Sequence, residues 1–142
     1  ARRVGKRLPD YMEFTVAADG SPQGLDDSNT NGWTATANKA RTAVGNIANA
    51  VSALNICDLV GNVWKWLVEL LHDPTGASWA WHNVLGNGYG QAYMANSTGL
   101  HALIGGGNWN NGVHCGSRAV SCNNVPWNVN TNVGVWCVCD SL

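Results

Sequence analysis

A segment near the start of the chain has the hydrophobic spacing of a helix with defined ends. Asp10 lies where its side chain can cap the first turn, and Glu13, three residues later, completes the spacing of a capping box. Gly20 stands at a position where helices often stop. The apolar residues that share one face at helical spacing are Tyr11, Phe14 and Ala18. The pattern predicts a helix near Asp10–Ala18.

The later hydrophobic segments are short and are separated by residues that favour turns. The stretch from Asn62 to Leu71 fits either a helix face or a strand, and periodicity alone does not decide between them. "LHALIGGGNW" predicts a short strand that runs into a glycine cluster, whose backbone we expect to pass close under Trp109. "SRAVSC" and "VGVWCVC" predict the last two strands, and the polar "NNVPWNVNTN" between them predicts an irregular connector.

Three other segments are rich in Gly, Asn and small residues and predict loops or irregular structure with short turns: 20–32, 34–55 and 79–99. Short strands, one helix and long loops together indicate an α+β domain. The chain has 142 residues, which is enough for one domain with a core and too few for two ordinary ones. We therefore expect a single domain over residues 1–142.

Composition narrows the choice of partners. Hydrophobic residues make up 45 % of the chain, which argues against disorder, and charged residues only 12 %. The net charge of -1 gives no electrostatic basis for binding nucleic acid or an anionic membrane. No apolar run is long enough to span a bilayer, and no secretory signal follows Ala1. We expect neither nucleic-acid binding nor membrane insertion.

The side chains that could carry chemistry do not form a recognised set. Five cysteines cannot all pair internally and no CxxC spacing occurs, so we expect buried free thiols. The four histidines lack zinc spacing, and His114 beside Cys115 lacks an orienting third group. Asp26 and Asp27 could offer oxygens to calcium together with Asn29 and Asn31, but the final Glu of an EF-hand is missing, which favours a solvated loop. We predict no catalytic residue, no metal ligand and no cofactor.

Three separated blocks resemble one family, in the family's order. "GKRLPDYMEFTVAADG", "AVGNIANAVSALNICDLVGNVWKW" and "GGGNWNNGVHCGSRAV…NVGVW" are similar to the conserved segments of the formylglycine-generating, sulfatase-modifying-factor type of C-type lectin fold. The resemblance implies short antiparallel strands with long loops and few helices. It also implies that Gly61–Trp64 leads into a strand, and that the family's first strand and helix lie before Ala1.

The end of the chain resembles one branch of this family, the variable proteins of diversity-generating retroelements. Those elements rewrite the tail of a gene at template adenines, and asparagine codons carry adenine at both informative positions. Changing such codons reaches small, charged, aromatic and aliphatic residues and never gives a stop codon. Asparagine recurs through the tail although it is poor in helices and strands, as expected of a tail close to its template. We take residues 105–142 as the variable region.

The resemblance implies a diversified set of ligand-binding residues: Asn110, Asn111, Val113, His114, Cys115, Ser117, Asn123, Asn124, Trp127, Asn128, Asn130 and Trp136. An Arg codon of the AGG kind becomes Trp by one adenine change, which is why Trp136 belongs to the set. Most of these side chains, with Trp127 and Trp136 among them, should cluster on one exposed face. The residues expected to serve as scaffold are Arg118, Val120, Val125, Val133 and Val135. Burial is expected for Trp64, Trp66 and Trp109.

The function implied is recognition without catalysis. The ligand would be an unidentified protein or cell-surface molecule, and the domain would be displayed on a virion or a cell. Two alternatives stay open. A copper oxidase of the formylglycine-generating type would need a cysteine pair near Asn111 and Gly116, and the spacing of Cys115 and Cys122 does not match it. A calcium-dependent sugar-binding lectin would need acidic motifs that "VPWN" and "WNN" only approach.

Overall fold

The main sheet is built around the strand that follows the Gly-Asn-Val-Trp block. A computed structural model of the chain describes residues 4–22, 40–72, 79–83, 88–94 and 98–139. In chain order the elements are β1 (Lys6–Arg7), α1 (Tyr11–Ala18), β2 (Trp64–His72), β3 (Ala80–His82), β4 (Ala92–Met94), β5 (Leu100–Gly105), a 3-10 turn (Gly112–His114), β6 (Val120–Asn124), β7 (Val133–Gly134) and β8 (Val138–Cys139). This is the predicted α+β architecture with short strands and one α-helix in the described ranges.

Six strands form a mixed sheet in the order β3-β4-β6-β5-β2-β7. The pairs β2–β7 and β4–β6 are parallel, and the other pairs are antiparallel. Strands β1 and β8 form a separate antiparallel pair, in which Lys6 lies opposite Cys139. "VGVWCVC" therefore supplies two short strands in two sheets and not the single strand that its pattern predicts.

The helix has the predicted ends. The side chain of Asp10 accepts a hydrogen bond from the Glu13 amide, and the Glu13 carboxylate accepts one from the Asp10 amide, which completes the capping box. Arg7 forms an ion pair with Glu13 at 2.6 Å. The Tyr11 amide at the helix start donates to the Glu69 carboxylate on β2 at 2.6 Å. These contacts hold the start of the helix against the main sheet.

The core lies between the helix and the sheet. Phe14, Leu59 and Leu67 are almost completely buried there. The glycine cluster allows close approach at this point, because a Cβ on Gly106 would lie 2.2 Å from the Leu59 carbonyl oxygen and one on Gly105 would lie 2.9 Å from the Phe14 ring. The cluster thus passes close to Phe14 and Leu59, and its approach to Trp109 stays a prediction.

The prediction of a loop over 79–99 is wrong at two places. Ala80–His82 and Ala92–Met94 are paired strands, and Trp81 lies opposite Tyr93 in their register. Cross-strand aromatic pairs stabilise such short strands although the flanking sequence is rich in turn formers. Within the described ranges no helix is long and apolar enough to cross a bilayer.

Burial of the tryptophans and cysteines only partly follows expectation. Trp64 is 5 % exposed, as predicted, whereas Trp66 and Trp109 are half-buried. All five cysteines are free, and only Cys115 and Cys122 are buried. Cys139 is exposed because β8 lies in the small outer sheet.

Candidate functional site

The Gly61–Trp64 block fixes the backbone that surrounds the candidate site. Asn62 has φ +58 and is 3 % exposed. Its side chain accepts from the Thr42 amide at 3.0 Å and donates to the Thr42 carbonyl at 3.1 Å, while its own carbonyl accepts from the Trp109 amide at 3.0 Å. The Trp64 amide donates to the Asn132 carbonyl at 2.8 Å. One buried block therefore holds three distant segments in place.

A concave site of about 360 Å³ opens between these segments, and we call it the cup. It is lined by Trp64, Trp81, Tyr93, Ile104, Asn108, Asn110, Asn111, Ser121, Asn123, Asn124, Asn130, Asn132 and Val133. Five asparagines of the predicted set lie here, at 110, 111, 123, 124 and 130, although they come from two separate stretches of the tail. The volume is within the range of small-molecule sites.

The aromatic residues that line the cup form its wall. The rings of Trp81 and Trp64 are 6.4 Å apart between centroids and 11° from parallel, and Tyr93 lies 4.9 Å from Trp81. The His114 ring stacks on Trp81 at 4.3 Å with 4° between planes, and its Nδ1 is hydrogen-bonded to the Gln91 side chain. The Trp81 ring is therefore held by contacts with three neighbouring rings.

Amide side chains form the rim of the cup, and several are held by hydrogen bonds to one another. Asn123 Oδ1 accepts from Ser121 Oγ at 2.8 Å and from Asn124 Nδ2 at 2.6 Å, and Asn124 Oδ1 accepts from Asn128 Nδ2 at 2.6 Å. Asn132 Oδ1 is buried and has no hydrogen-bond partner among the described residues. The hydrogen bonds within the rim hold its side chains largely in place.

A second stretch of the rim is a tight turn. The Asn108 amide donates to Asn111 Oδ1 at 2.9 Å, and the Asn110 amide donates to Asn108 Oδ1 at 2.8 Å. Asn108 is 4 % exposed, and Asn110 is exposed. Asn108 therefore has a structural role, while the neighbouring asparagine presents its side chain to solvent.

The connector between β6 and β7 presents apolar side chains beside the rim. Trp127 is 71 % exposed and Val129 is 96 % exposed, while Asn128 is half-buried. Neither Trp127 nor Asn128 lines the cup. Exposed apolar side chains next to a polar concavity are typical of a protein recognition site.

Some members of the predicted set do not have the expected exposure. Cys115 and Ser117 are 0 % and 2 % exposed, and Cys115 packs against Gly107, so neither side chain points outward as expected of a diversified position. Trp136 is half-buried and packs against the core beside the helix, away from the cup. His114 is half-buried because its ring covers Trp81.

The other residues singled out by the sequence are one further member of the variable set and the predicted scaffold residues. Val113 is half-buried in the 3-10 turn. Val120 is a buried core residue and Val125 is half-buried, as expected for scaffold. Val133 lines the cup, and Arg118 is exposed with its guanidinium 4.2 Å above the Tyr89 ring. Val135 is 65 % exposed and lies between β7 and β8, outside both sheets, and its role as scaffold stays a prediction.

A buried cation lies below the site. Lys65 is 5 % exposed, and its Nζ donates to the Gly61 carbonyl at 2.7 Å. Burial lowers the pKa of Lys65 to about 7, against the opposing effects of Cys115 and Asp58. Burial also raises the pKa of the Cys115 thiol to about 12, against the effect of Lys65.

The residues do not fit the copper site of an oxidase. Cys115 Sγ donates to the Asn108 carbonyl at 3.3 Å, and burial raises the pKa of this thiol, which disfavours the thiolate form that binds metal ions. Burial also raises the pKa of Cys122. Among the described residues no group of three or more His, Cys, Asp or Glu side chains could hold a metal ion. The proposed calcium loop with Asp26, Asp27, Asn29 and Asn31 lies outside the described residues.

Sequence reasoning missed the wall and the base of the cup. The lining residues that were not predicted as part of the site are Trp64, Trp81, Tyr93, Ile104, Asn108, Ser121, Asn132 and Val133. Trp81 and Tyr93 lie in the stretch that was predicted as loop, and the alternation of "WAWH" is the signal that could have indicated a strand there.

The fold and the buried Gly-Asn-Val-Trp block define a family. Residues 1–141 match the sulfatase-modifying factor enzyme 1-like domain, and the chain belongs to that family. No curated protein matches the chain.

Solved structures similar to the chain have the expected C-type lectin fold. The Major Tropism Determinant U1 variant is 29 % identical with a TM-score of 0.65, over 96 % of this chain and 34 % of that one. The M1 variant is 26 % identical with a TM-score of 0.66 and the same coverage. Treponema denticola variable protein 1 is 20 % identical with a TM-score of 0.59, over 94 % of this chain and 47 % of that one. The chain spans about a third of the length of the tropism determinants, and the last likeness concerns the fold alone.

Proposed function

We propose that this domain binds a ligand through a surface that a diversity-generating retroelement varies. The observation that carries the proposal is that five tail asparagines, from two separate stretches, line one cup. The exposed connector with Trp127 lies beside the cup. A scaffold accepts varied side chains only where packing does not need them, and most of these positions satisfy that condition.

The likeness to solved tropism determinants supports this function over the alternatives. Recognition without catalysis also agrees with the buried, protonated Cys115. The ligand is proposed to be a protein or another molecule on a cell surface, and the domain to be displayed on a virion or a cell. Rigid aromatic and amide side chains suit such a task, as they do in antibody paratopes.

The variable region is proposed to be 105–142, with variation confined to its outward-facing positions. Those positions are Asn110, Asn111, Asn123, Asn124, Trp127, Asn128 and Asn130. Cys115, Ser117 and Trp136 pack against the protein, so their variation would disturb the fold.

A pair of libraries tests the proposal. One library randomises the seven outward-facing positions, and the control library randomises Cys115, Ser117 and Asn108, which are buried. Most members of the first library should fold with unchanged melting temperatures and bind different targets in a selection. Few members of the control library should fold.

The neighbouring DNA gives an independent test. We expect a reverse transcriptase gene and a near-copy of the segment that encodes 105–142, differing from it at adenines. A first library that mostly unfolds, or a locus without the near-copy, contradicts the proposal.

A further inference from the structure

The wall and the rim of the cup come from different parts of the chain. Trp64, Trp81 and Tyr93 precede residue 105, whereas the rim asparagines all belong to the tail. This inference rests on the proposed function, under which variation changes the rim and leaves the wall constant. The wall then determines which class of ligand every variant can bind.

The lining of the cup favours a neutral ligand. None of the thirteen described residues that line it has a charged side chain. A charged ligand would lose hydration in the cup and find no opposite charge there. None of the described lining residues carries a carboxylate, the group that supplies most calcium ligands together with carbonyl oxygens, so the binding proposed here involves no calcium.

The rim favours a ligand with many groups that both donate and accept hydrogen bonds. Seven asparagines line the cup, and each amide has two donor hydrogens and an acceptor oxygen. Hydroxyl groups match such a mixed set, because each hydroxyl donates one hydrogen bond and accepts others.

The wall favours a ring with an apolar face. Trp81 and Tyr93 lie 4.9 Å apart between centroids with their planes tilted by 50°, and the parts of these rings that His114 and Trp79 leave uncovered offer apolar surface to such a ring. The volume of about 360 Å³ suits one small ring, not a broad protein surface.

From these features we propose that the cup binds one residue of a neutral glycan without a metal ion. The sugar ring lies against Trp81 and Tyr93, and its hydroxyl groups bond to the rim amides. The wall makes a sugar ring the common ligand, and the varied rim selects which sugar. Trp127 and Val129, outside the cup, contact whatever carries the glycan.

The first experiment is a glycan array that holds neutral and anionic glycans, probed with the unmodified chain with and without a chelator. Binding to neutral glycans that the chelator leaves unchanged supports the proposal. Binding to none of the neutral glycans, binding restricted to anionic ones, or binding that the chelator abolishes overturns it.

Variants then locate the bound sugar, by titration calorimetry with the best neutral glycan. Asn130→Ala changes an exposed rim residue and should weaken affinity about fivefold, as expected for one hydrogen bond. Trp81→Ala should weaken it at least tenfold. Asn46→Ala, an exposed asparagine outside the cup, is the matched control and should have no effect. Unchanged affinity in Asn130→Ala and in a folded Trp81→Ala overturns the proposal.

A different result separates this inference from the proposed function. If the domain binds target cells, and that binding survives periodate oxidation of glycans but not protease treatment, the ligand is a protein surface. The glycan inference then fails while the variable recognition function stands.

Discussion

Asn62 and Thr42 are twenty residues apart, and the Asn62 side chain forms hydrogen bonds with both the amide and the carbonyl of Thr42. Because Asn62 also accepts from the Trp109 amide through its carbonyl, this asparagine joins the loop before the block to the turn that bears the rim. A family block that looks like a sequence signature is therefore the physical support of the cup.

We expect Asn62→Ala to lower the free energy of unfolding by about 2–3 kcal/mol, since two buried backbone groups lose their partners. Asn62→Asp keeps the hydrogen-bond acceptor and loses the donor. Its free energy of unfolding should lie between those of the original protein and Asn62→Ala. Urea unfolding measures both, with the exposed Asn46→Ala as control. A loss below 0.5 kcal/mol would contradict the role given to Asn62.

The buried Lys65 gives a dependence of stability on pH. Its pKa in the folded protein is about 7, below the usual 10.5, so between these values the unfolded chain binds more protons than the folded one. Stability should therefore rise with pH above 7, by at most about 1.4 kcal/mol per pH unit. Unfolding at pH 7, 8 and 9 measures the slope, which Lys65→Met should remove.

Ionisation of the Cys115 thiol should lower stability as the pH rises further, which opposes the effect of Lys65. Its pKa is raised from 9.0 to about 12, so the folded protein keeps a proton that the unfolded chain loses between these values. The rise due to Lys65 should level off or reverse above pH 9. A Lys65→Met protein with the same slope as the original between pH 7 and 9 would show that Lys65 is not the cause.

Acid should weaken the helix start through Glu13. Hydrogen bonding to Arg7 and to the Asp10 amide lowers the pKa of Glu13 to about 2 from 4.5. A depressed pKa contributes stability that is present above pH 4.5 and is lost as the pH falls towards 2. Glu13→Gln keeps an acceptor for the cap and should flatten the melting temperature over this acid range. If the melting temperature of Glu13→Gln falls with acid as steeply as that of the original protein, the ion pair with Arg7 does not contribute to stability.

Alanine substitutions at two glycines distinguish the cost of a steric clash from the cost of backbone strain. Gly106→Ala places a methyl group 2.2 Å from the Leu59 carbonyl oxygen at φ +89, which backbone atoms cannot relieve cheaply. Gly112 has φ +49 and an open Cβ position, so Gly112→Ala should cost only about 1 kcal/mol. We expect Gly106→Ala to be insoluble or strongly destabilised, and thermal melts to rank the two. Equal losses would contradict this reading of the glycine cluster.

Alanine substitutions at two tryptophans should have different effects on stability. Trp64 is 5 % exposed, and Trp64→Ala should cost about 3–5 kcal/mol. Trp127 is 71 % exposed, and Trp127→Ala should change stability by less than about 0.5 kcal/mol while weakening binding to the target. Denaturant unfolding and target binding are measured on both. If Trp127→Ala is clearly destabilised, the Trp127 side chain contributes to packing, and the prediction is wrong.

The sequence predicted the helix because its signals are local. A capping box, a spaced apolar face and a terminal glycine all act within one short segment. The strand after the Gly-Asn-Val-Trp block was ambiguous from periodicity, and the family resemblance resolved it correctly as β2. The wall of the cup could not be predicted, because Trp81 and Tyr93 gain their strands from pairing across a stretch that is rich in turn formers.

The tail illustrates the same limit. The asparagines at 110 and 123 come together because β5 and β6 are antiparallel neighbours, a relationship that no local pattern contains. Trp136 was expected to be exposed from a codon argument, and its packing beside the helix depends on the split between β7 and β8. Burial of Cys115 and Ser117 likewise depends on the long-range position of the turn before β6.

The last two strands, β7 and β8, pair with strands from much earlier in the chain. Strand β7 covers the edge of β2, and β8 pairs with β1. A tail that stops early would leave the β2 edge unpaired and open to other chains. Completion of both sheets therefore depends on the last described residues of the chain, so a change that removes residues 133–139 would disturb the fold itself and not only the binding surface.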